Sequence, residues 1–592
     1  MDRVFETDVL VVGGAGAASM AAVHASKQGV KTTLVCKGRL GKSGATILAG
    51  AGIQMDGGSA CALGLPGDPA WTKAKLFQEI VLEGFYLNNQ TLVEVWTENA
   101  GPRLKELLDW GLQAVFRAPA NFGTSGRELG RVCAEGVRRH EVDVVDDVMV
   151  VDLLTVRGCV VGALGVAVHT GDFVVFKAKA VVLATGGWHQ AYPFTSGTMD
   201  LSGDGPAMAY RGGAELSNME MVTFCPNTVL WPEIHRGSIW GYVASFPLDV
   251  KLLNRKGEDI MAAYDPAIQE IAATTEFNKN IWSIASARAV AAGRGSPHGG
   301  VYWSLKHLPL NVFDDVLAQR YPNWRWQGED FSDLIQLLKS GYAVEVAPAA
   351  HYFEGGIAIN ARGETTVAGL YAGGECASGV FGANRVCDAT TEMVVFGAVA
   401  GASAGQYAKR VRARELAAKQ VDALKDELLQ PLHRRDGVSP AEVRRRIQAI
   451  AGTYVGILRN GLDLGRAVKA LEAIRVTDLP RMAVISQDRG YNKEWIDALE
   501  VRNLLLCLEA SARSAFLRTE SRGLHYRVDC VEMDNDQWLK EIVVKESEGA
   551  MRLSTKPVTV TQMKLPTGRM TWEAYLMKTV PLLHELEVWT VG

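Results

Sequence analysis

Gly13-Gly-Ala-Gly-Ala-Ala-Ser19 separates an apolar run, Asp8 to Val12, from an alanine-rich stretch, Met20 to Lys27. A strand, a glycine turn and a helix in that order let backbone N–H groups approach a pyrophosphate at the helix N-terminus. The pattern is an incomplete GxGxxG. Counted from Gly13, its second and third glycines are Ala15 and Ala18; counted from Gly14, the triplet is Gly14, Gly16 and Ser19. A tight connection alone would use the same residues. The next apolar run, Lys31 to Cys36, ends in Cys36-Lys37 and lacks the acid that takes a ribose hydroxyl, so that contact is absent or made differently. Three later segments decide between these readings. Lys179 to Leu183 leads into the turn Ala184-Thr185-Gly186, and Leu201-Ser-Gly-Asp204-Gly205 precedes a second alanine-rich stretch. Thr366 to Gly374 is an apolar run that presents Glu375 at its end, and a charged acceptor there suits a ribitol hydroxyl of FAD.

These turns must be positioned by a large protein. A chain of 592 residues has room for about four domains, or one with insertions, at roughly 150 residues each. The 48% hydrophobic and 22% charged fractions exclude a disordered or fibrous chain. A net charge of −4 points to neither a nucleic-acid nor an anionic-membrane partner. The 61 glycines against 20 prolines are the unusual number, and the clusters above account for many of them. The nine cysteines contain no CxxC and no iron–sulfur or zinc cadence, so no metal site is expected in this chain. Their odd, scattered count suggests reduced thiols in the cytoplasm. A polar start shows no signal peptide, and no long uncharged apolar run spans a membrane. Tyr407 to Arg444 carries Lys, Arg, Glu, Ala and Leu at helical spacing, with Ser439-Pro-Ala-Glu442 as a helix start.

Taken together, the segments resemble the succinate dehydrogenase and fumarate reductase flavoprotein family. The most specific matches are His351-Tyr-Phe-Glu-Gly-Gly-Ile357 and Gly379-Val-Phe-Gly-Ala-Asn-Arg385. The resemblance continues through Val394-Val-Phe-Gly397, Arg518-Thr-Glu-Ser-Arg-Gly-Leu-His525 and Asp536-Gln-Trp-Leu-Lys540, so it covers nearly the whole chain. It implies an α/β fold in which a Rossmann-like FAD-binding domain is interrupted by an α+β capping domain. The FAD parts would be 1–218 and 346–410 around a capping domain at 219–345, followed by a helical domain at 411–530 and a C-terminal region at 531–592. FAD would be held by Gly13, Gly14, Gly16, Cys36, Lys37, Ser43, Gly44, Ala184, Thr185, Gly186, Asp204, Glu375, Arg385 and Thr390.

The family often tethers FAD to a histidine in a Ser-His-Thr turn. Here the equivalent stretch is Lys42-Ser-Gly-Ala-Thr46, so FAD is expected to bind non-covalently. His351 and Arg385 fall on the family's substrate-binding histidine and arginine. Cys225, in Phe224-Cys-Pro-Asn-Thr228, replaces a second histidine, and the Thr-Glu pair that follows is not recognisable in Val229 to Phe246. The family's proton-shuttling arginine falls on Lys279. Lysine can carry a proton but is also common on helix surfaces, and Cys225 could be reactive or simply packed. The half of the site for one carboxylate thus survives and the other half does not. The expected substrate is a carboxylic acid other than succinate or fumarate.

With no cluster ligands of its own, the chain is expected to pass electrons to an iron–sulfur subunit, which would hold the clusters. Two alternatives are an adenylylsulfate reductase-like flavoprotein, suggested by Ser43-Gly-Ala45, and a degenerate electron-transfer or assembly subunit without a substrate. His351 and the loop ending in Arg385 speak for the dicarboxylate branch. An L-aspartate oxidase-like enzyme would normally keep the missing histidine and Thr-Glu pair.

Overall fold

Five short strands form the floor of the molecule. Val9–Val12, Thr32–Val35, Val142–Val145, Ala180–Leu183 and Leu370–Ala372 pair in parallel, with Val9–Val12 at the centre. Val9–Val12 lies in register with Ala180–Leu183 on one side and Thr32–Val35 on the other. Helices cover both faces of such a sheet, which is why its central strands are continuous apolar runs instead of alternating ones. The outer strand Leu370–Ala372 pairs in parallel with Ala180–Leu183 from far along the chain, on the other side of the upper sheet's strands in sequence. The computed structural model describes residues 3–239, 250–275, 277–309, 311, 314, 331–385 and 389–586. Cys387 and positions 240–246 of the Val229–Phe246 segment lie outside them. The eight described cysteines are free thiols. No helix among the described residues is long and apolar enough to cross a membrane.

The helix after the first glycine turn spans Gly16–Ser26, beginning earlier than the alanine run from Met20 suggested, because the small residues of the turn form its first turn. A second helix, Ala389–Arg410, packs along it. Gly397 and Gly401 make the close approach possible. A Cβ on either would lie 2.4 Å from the carbonyl oxygen of Ala17 or 2.0 Å from that of Ala21. These glycines lie outside the nucleotide turns and are used for helix packing.

An antiparallel four-stranded sheet stands over this floor, in the order Val222–Trp231, Val344–Phe353, Val301–Ser304, Lys251–Leu253. Thr223 pairs with Tyr352 but Phe224 pairs with Ala350, so His351 is the extra residue of a β-bulge. A bulge bends the strand and re-aims a side chain, here beside the cavity described below.

Helices Pro440–Tyr454 and Gly461–Ala473 pack against the long helix Lys493–Leu517. Ser439 caps the first of them, its hydroxyl accepting from the Glu442 N–H at 3.2 Å, as the sequence indicated. The segment Tyr407 to Arg444 is divided among three helices, Ala389–Arg410, Ala418–His433 and Pro440–Tyr454. Its charges are not all solvated, since Arg444 pairs with Glu500 at 2.8 Å. At the end of the helical part the fully buried Arg518 joins Glu220 at 2.8 Å, Glu520 at 2.9 Å and the carbonyls of Trp538 and Lys540. One guanidinium therefore links the start of the interrupting segment to the C-terminal hairpin.

The tight crossing at Gly401 gives a direct test. Gly401→Ala forces the two helices apart and should cost about 1–3 kcal/mol, read as a lower denaturation midpoint with an unchanged slope.

Candidate active site

A cavity of about 340 Å³ opens between the ends of the parallel strands and the upper sheet. Ligands of open α/β sheets bind at such strand ends. Among its lining residues are Gly13, Gly14, Cys36, Lys37, Ser43, Gly44, Ala184, Thr185, Gly186, Asp204, Glu375 and Thr390. Cys225, Lys279, His351 and Arg385 line the same cavity. Gly16 is the exception among the residues singled out from sequence. A Cβ there would meet the Met393 side chain at 2.3 Å, so Gly16 packs beneath the long helix, and its N–H donates to Thr46 Oγ1 at 3.2 Å.

The chain's own geometry fits a dinucleotide. The N-cap of helix Gly16–Ser26 is Ala15, which has no capping side chain; Thr46 takes the Gly16 N–H, and the positive end of the helix dipole is left for an anion. Gly13 has φ +140°, and a Cβ on it would meet the Ala184 carbonyl oxygen at 2.2 Å. Glu375 Oε1 is buried without a hydrogen bond, 3.5 Å from His189 Nε2. Burial raises the Glu375 pKa while His189 opposes the rise. A buried acceptor of this kind suits a ligand hydroxyl.

An acid from the neighbouring strand end stands beside Cys36. Asp146 follows Val142–Val145 and accepts from the Cys36 thiol and the Leu40 N–H, each at 3.0 Å. Burial and then Asp146 push the Cys36 thiol well up, so it stays protonated. Lys37 donates to Ser202 at 2.6 Å, Asp204 at 2.9 Å and Glu500 at 3.0 Å. Burial works against its charge, but Asp204 and Glu500 outweigh that and keep it protonated. Asp204 also accepts from Asn503 at 2.8 Å, so Lys37 and Asp204 lock the cavity wall to the helical part. The Ser43 hydroxyl donates to the Arg39 carbonyl at 2.9 Å, and the Gly44 N–H to Asp200 at 2.9 Å. Thr185 accepts from the Gly205 N–H at 2.9 Å, while Thr390 bonds the Gly52 backbone. The histidines lining the cavity, among the described residues, are His189 and His351.

The chemical groups cluster at the upper sheet. His351 Nδ1 lies 2.9 Å from the Ser196 hydroxyl, and its carbonyl oxygen accepts from His189 at 2.9 Å. Burial, and then the charges of Arg385, Lys279 and His189, hold His351 well below the usual histidine range, so its ring is neutral. Arg385 ends a loop anchored by Asn384, whose amide donates to the Glu83 carbonyl at 3.2 Å. Its guanidinium carbon sits 5.1 Å from the centre of the Tyr352 ring, and its buried Nε has no hydrogen-bond partner. Lys279, in the first turn of the helix Asn278–Ala291, is 3% exposed, so it is no surface lysine. Cys225 is 1% exposed, and burial raises its thiol pKa against the opposing pull of Thr228, Lys279 and Arg385. A protonated, enclosed thiol is a poor nucleophile.

Several groups here were not singled out from the sequence. Arg117, His189, Asp200, Tyr352 and Glu392 also line the cavity. Glu392 accepts from the Tyr352 hydroxyl at 3.4 Å, and burial with nearby Glu375 pushes it up to about 8. Glu354, which accepts from the Thr223 hydroxyl, is pushed up by burial to about 8 as well. The ordinary value is 4.5, so the folded state keeps protons that the unfolded chain has released. Their stabilising contribution is complete below the ordinary value and is lost as pH rises through the folded one. The melting temperature should therefore decline between about pH 5 and pH 8, and replacing both with Gln should flatten that decline in pH-dependent thermal melts.

Comparison with known proteins agrees with this geometry. The model of the FAD binding domain matches residues 8–390, and that of the fumarate reductase flavoprotein C-terminus matches 444–571. A fumarate reductase (CoM/CoB) subunit of Methanothermobacter marburgensis is 32% identical over 571 residues, 92% of this chain and 97% of that protein. The L-aspartate oxidase of Streptomyces coelicolor is 30% identical, covering 91% of each. Among solved structures, Mycobacterium smegmatis Sdh1 with UQ1 superposes with a TM-score of 0.82 at 27% identity, covering 95% of this chain and 96% of that one. Adenylylsulfate reductase of Archaeoglobus fulgidus shares the fold, with a TM-score of 0.76 at 20% identity over 95% of this chain and 98% of that one.

Proposed function

The chain belongs to the FAD-dependent oxidoreductase family of fumarate reductase and succinate dehydrogenase flavoproteins, and from that premise we propose that it exchanges hydride with a carboxylic acid other than succinate or fumarate. The observation that carries this reading is Arg385, a buried guanidinium with an unpartnered Nε in the cavity that also holds His351 and Lys279. Its planar fork can hold a carboxylate through two hydrogen bonds. The neutral His351 ring, oriented by Ser196, donates to or accepts from the same end of the acid. Lys279 faces the cavity as the group that moves a proton at the carbon next to the one exchanging hydride. Bound FAD supplies the two-electron chemistry. Cys225, neutral and enclosed, cannot replace the cation that a histidine would provide, and this argues against a succinate-like fit on that wall.

FAD is held without a covalent bond in this reading. Residues Ser43 to Thr46 line the cavity and include no histidine. The N-terminus of the helix Gly16–Ser26, Glu375 and Thr390 are the groups proposed to retain it. Electrons then leave through an iron–sulfur subunit, which the cysteine spacing of this chain cannot replace. The M. marburgensis relative is itself one subunit of a fumarate reductase.

Three outcomes are expected. Acid precipitation should release the yellow colour into the supernatant, and a coloured pellet would contradict non-covalent binding. Arg385→Ala should lower kcat/KM for an accepted acid by about 10²–10³ while FAD content is retained, as for loss of one charge-stabilising donor. Native purification should yield a second, iron-containing chain, whereas full turnover by the flavoprotein alone would contradict the partner. Micromolar Michaelis constants for succinate or fumarate would contradict the altered substrate.

A further inference from the structure

His351 is the extra residue of its bulge, and the ladder with Val222–Trp231 gives it no partner. The segment from His189 to Gly197 supplies the contacts instead. Thr195 forms a parallel bridge with Ala350, in which the Ala350 N–H donates to the Phe194 carbonyl and the Ser196 N–H to the Ala350 carbonyl, each at 3.1 Å. His189 Nε2 donates to the His351 carbonyl at 2.9 Å. Gly197 makes room for that ring, since a Cβ on it would lie 2.3 Å from the His189 ring.

The hydroxyls of this segment fix the direction of one proton. Thr195 Oγ1 accepts from the Gly197 N–H at 3.0 Å and donates to the Ala350 carbonyl at 2.8 Å. That carbonyl oxygen then holds the Thr195 hydroxyl and the Ser196 N–H, which fill its two lone pairs. The Ser196 hydroxyl lies 3.5 Å from the same oxygen but only 2.9 Å from His351 Nδ1. Its proton therefore goes to Nδ1. A neutral imidazole whose Nδ1 accepts carries its own proton on Nε2. Among the described residues no hydrogen bond engages His351 Nε2, and both Ser196 and His351 line the cavity.

We propose that Ser196 is a positioning residue that keeps the His351 proton on Nε2, so that this histidine meets its ligand as a hydrogen-bond donor only. The proposal rests on the carboxylic-acid reading above and sharpens the part His351 plays in it. A donor nitrogen matches an ionised oxygen, whereas an acceptor lone pair at the same place would repel it.

The test uses the FAD-loaded full chain with the ring nitrogens of its eleven histidines isotopically labelled. Nitrogen NMR spectra at neutral pH report the tautomer, and the signal missing from His351→Gln identifies His351. The wild type should show a neutral ring protonated on Nε2. Ser196→Ala should move part of the population to the Nδ1–H tautomer and lower kcat/KM for an accepted acid about tenfold, as for loss of one hydrogen bond. Ser196→Thr, which keeps the hydroxyl, should restore both, and all three proteins should retain full FAD content. A wild-type His351 that is charged or protonated on Nδ1 overturns the proposal, and this spectrum decides even where Ser196→Ala does not fold. An unchanged tautomer in Ser196→Ala overturns it too, as does a loss of activity that Ser196→Thr fails to restore. If no acid reoxidises the reduced flavin, the carboxylic-acid reading falls, while the tautomer spectra, which need no substrate, still decide the role of Ser196.

Discussion

Desolvation inside the cavity decides which groups carry charge. Burial raises the pKa of Glu354, Glu375, Glu392 and Tyr352 and lowers that of His351. The acids are thus biased toward the protonated form and the imidazole toward the neutral form. The carboxylates of Asp204 and Glu500 are already paired with Lys37. The guanidinium groups of Arg385 and Arg117, which cannot lose a proton, are left as positive charges with buried, unpartnered nitrogens. An anionic ligand is the natural complement of such a cavity.

The fold serves this arrangement in two ways. Small residues let the helix Gly16–Ser26 and the helix Ala389–Arg410 approach closely, which brings the nucleotide turn beside Thr390 and Glu392. The bulge at His351 lets Val344–Phe353 keep its pairing with Val222–Trp231 on either side of the irregularity, while its histidine lies against Ser196. The upper sheet is itself tied to the C-terminal parts through Glu220 and Arg518, so the site is held by segments from the whole chain.

Much of this was legible in the sequence because it depends on local pattern. The apolar runs ending in glycine turns became the parallel strands, Glu375 sits at a strand end, and Ser439 caps its helix. The parts that were not legible arise from pairing between distant segments. Asp146 reaches Cys36 from an adjacent strand more than a hundred residues later. Arg117 joins the cavity only because its hairpin pairs with Gly52–Gln54, and nothing in Phe116-Arg-Ala118 marks it. The burial of Lys279 likewise depends on packing that a polar helix start does not reveal. Gly16 shows the reverse case, a motif residue whose contact is with Met393 and not with the cavity.

The central claim is that a buried cation in this cavity selects a carboxylate for hydride exchange. The most direct measurement is the anaerobic reoxidation of photoreduced, protein-bound FAD by a panel of α,β-unsaturated carboxylic acids and their methyl esters, followed by stopped-flow absorbance. The account predicts that at least one free acid restores the oxidised flavin spectrum and that its ester reacts at least about a hundredfold more slowly, in line with loss of a charge-stabilised contact. Equal rates for acid and ester, or no acid reacting faster than buffer, would contradict it.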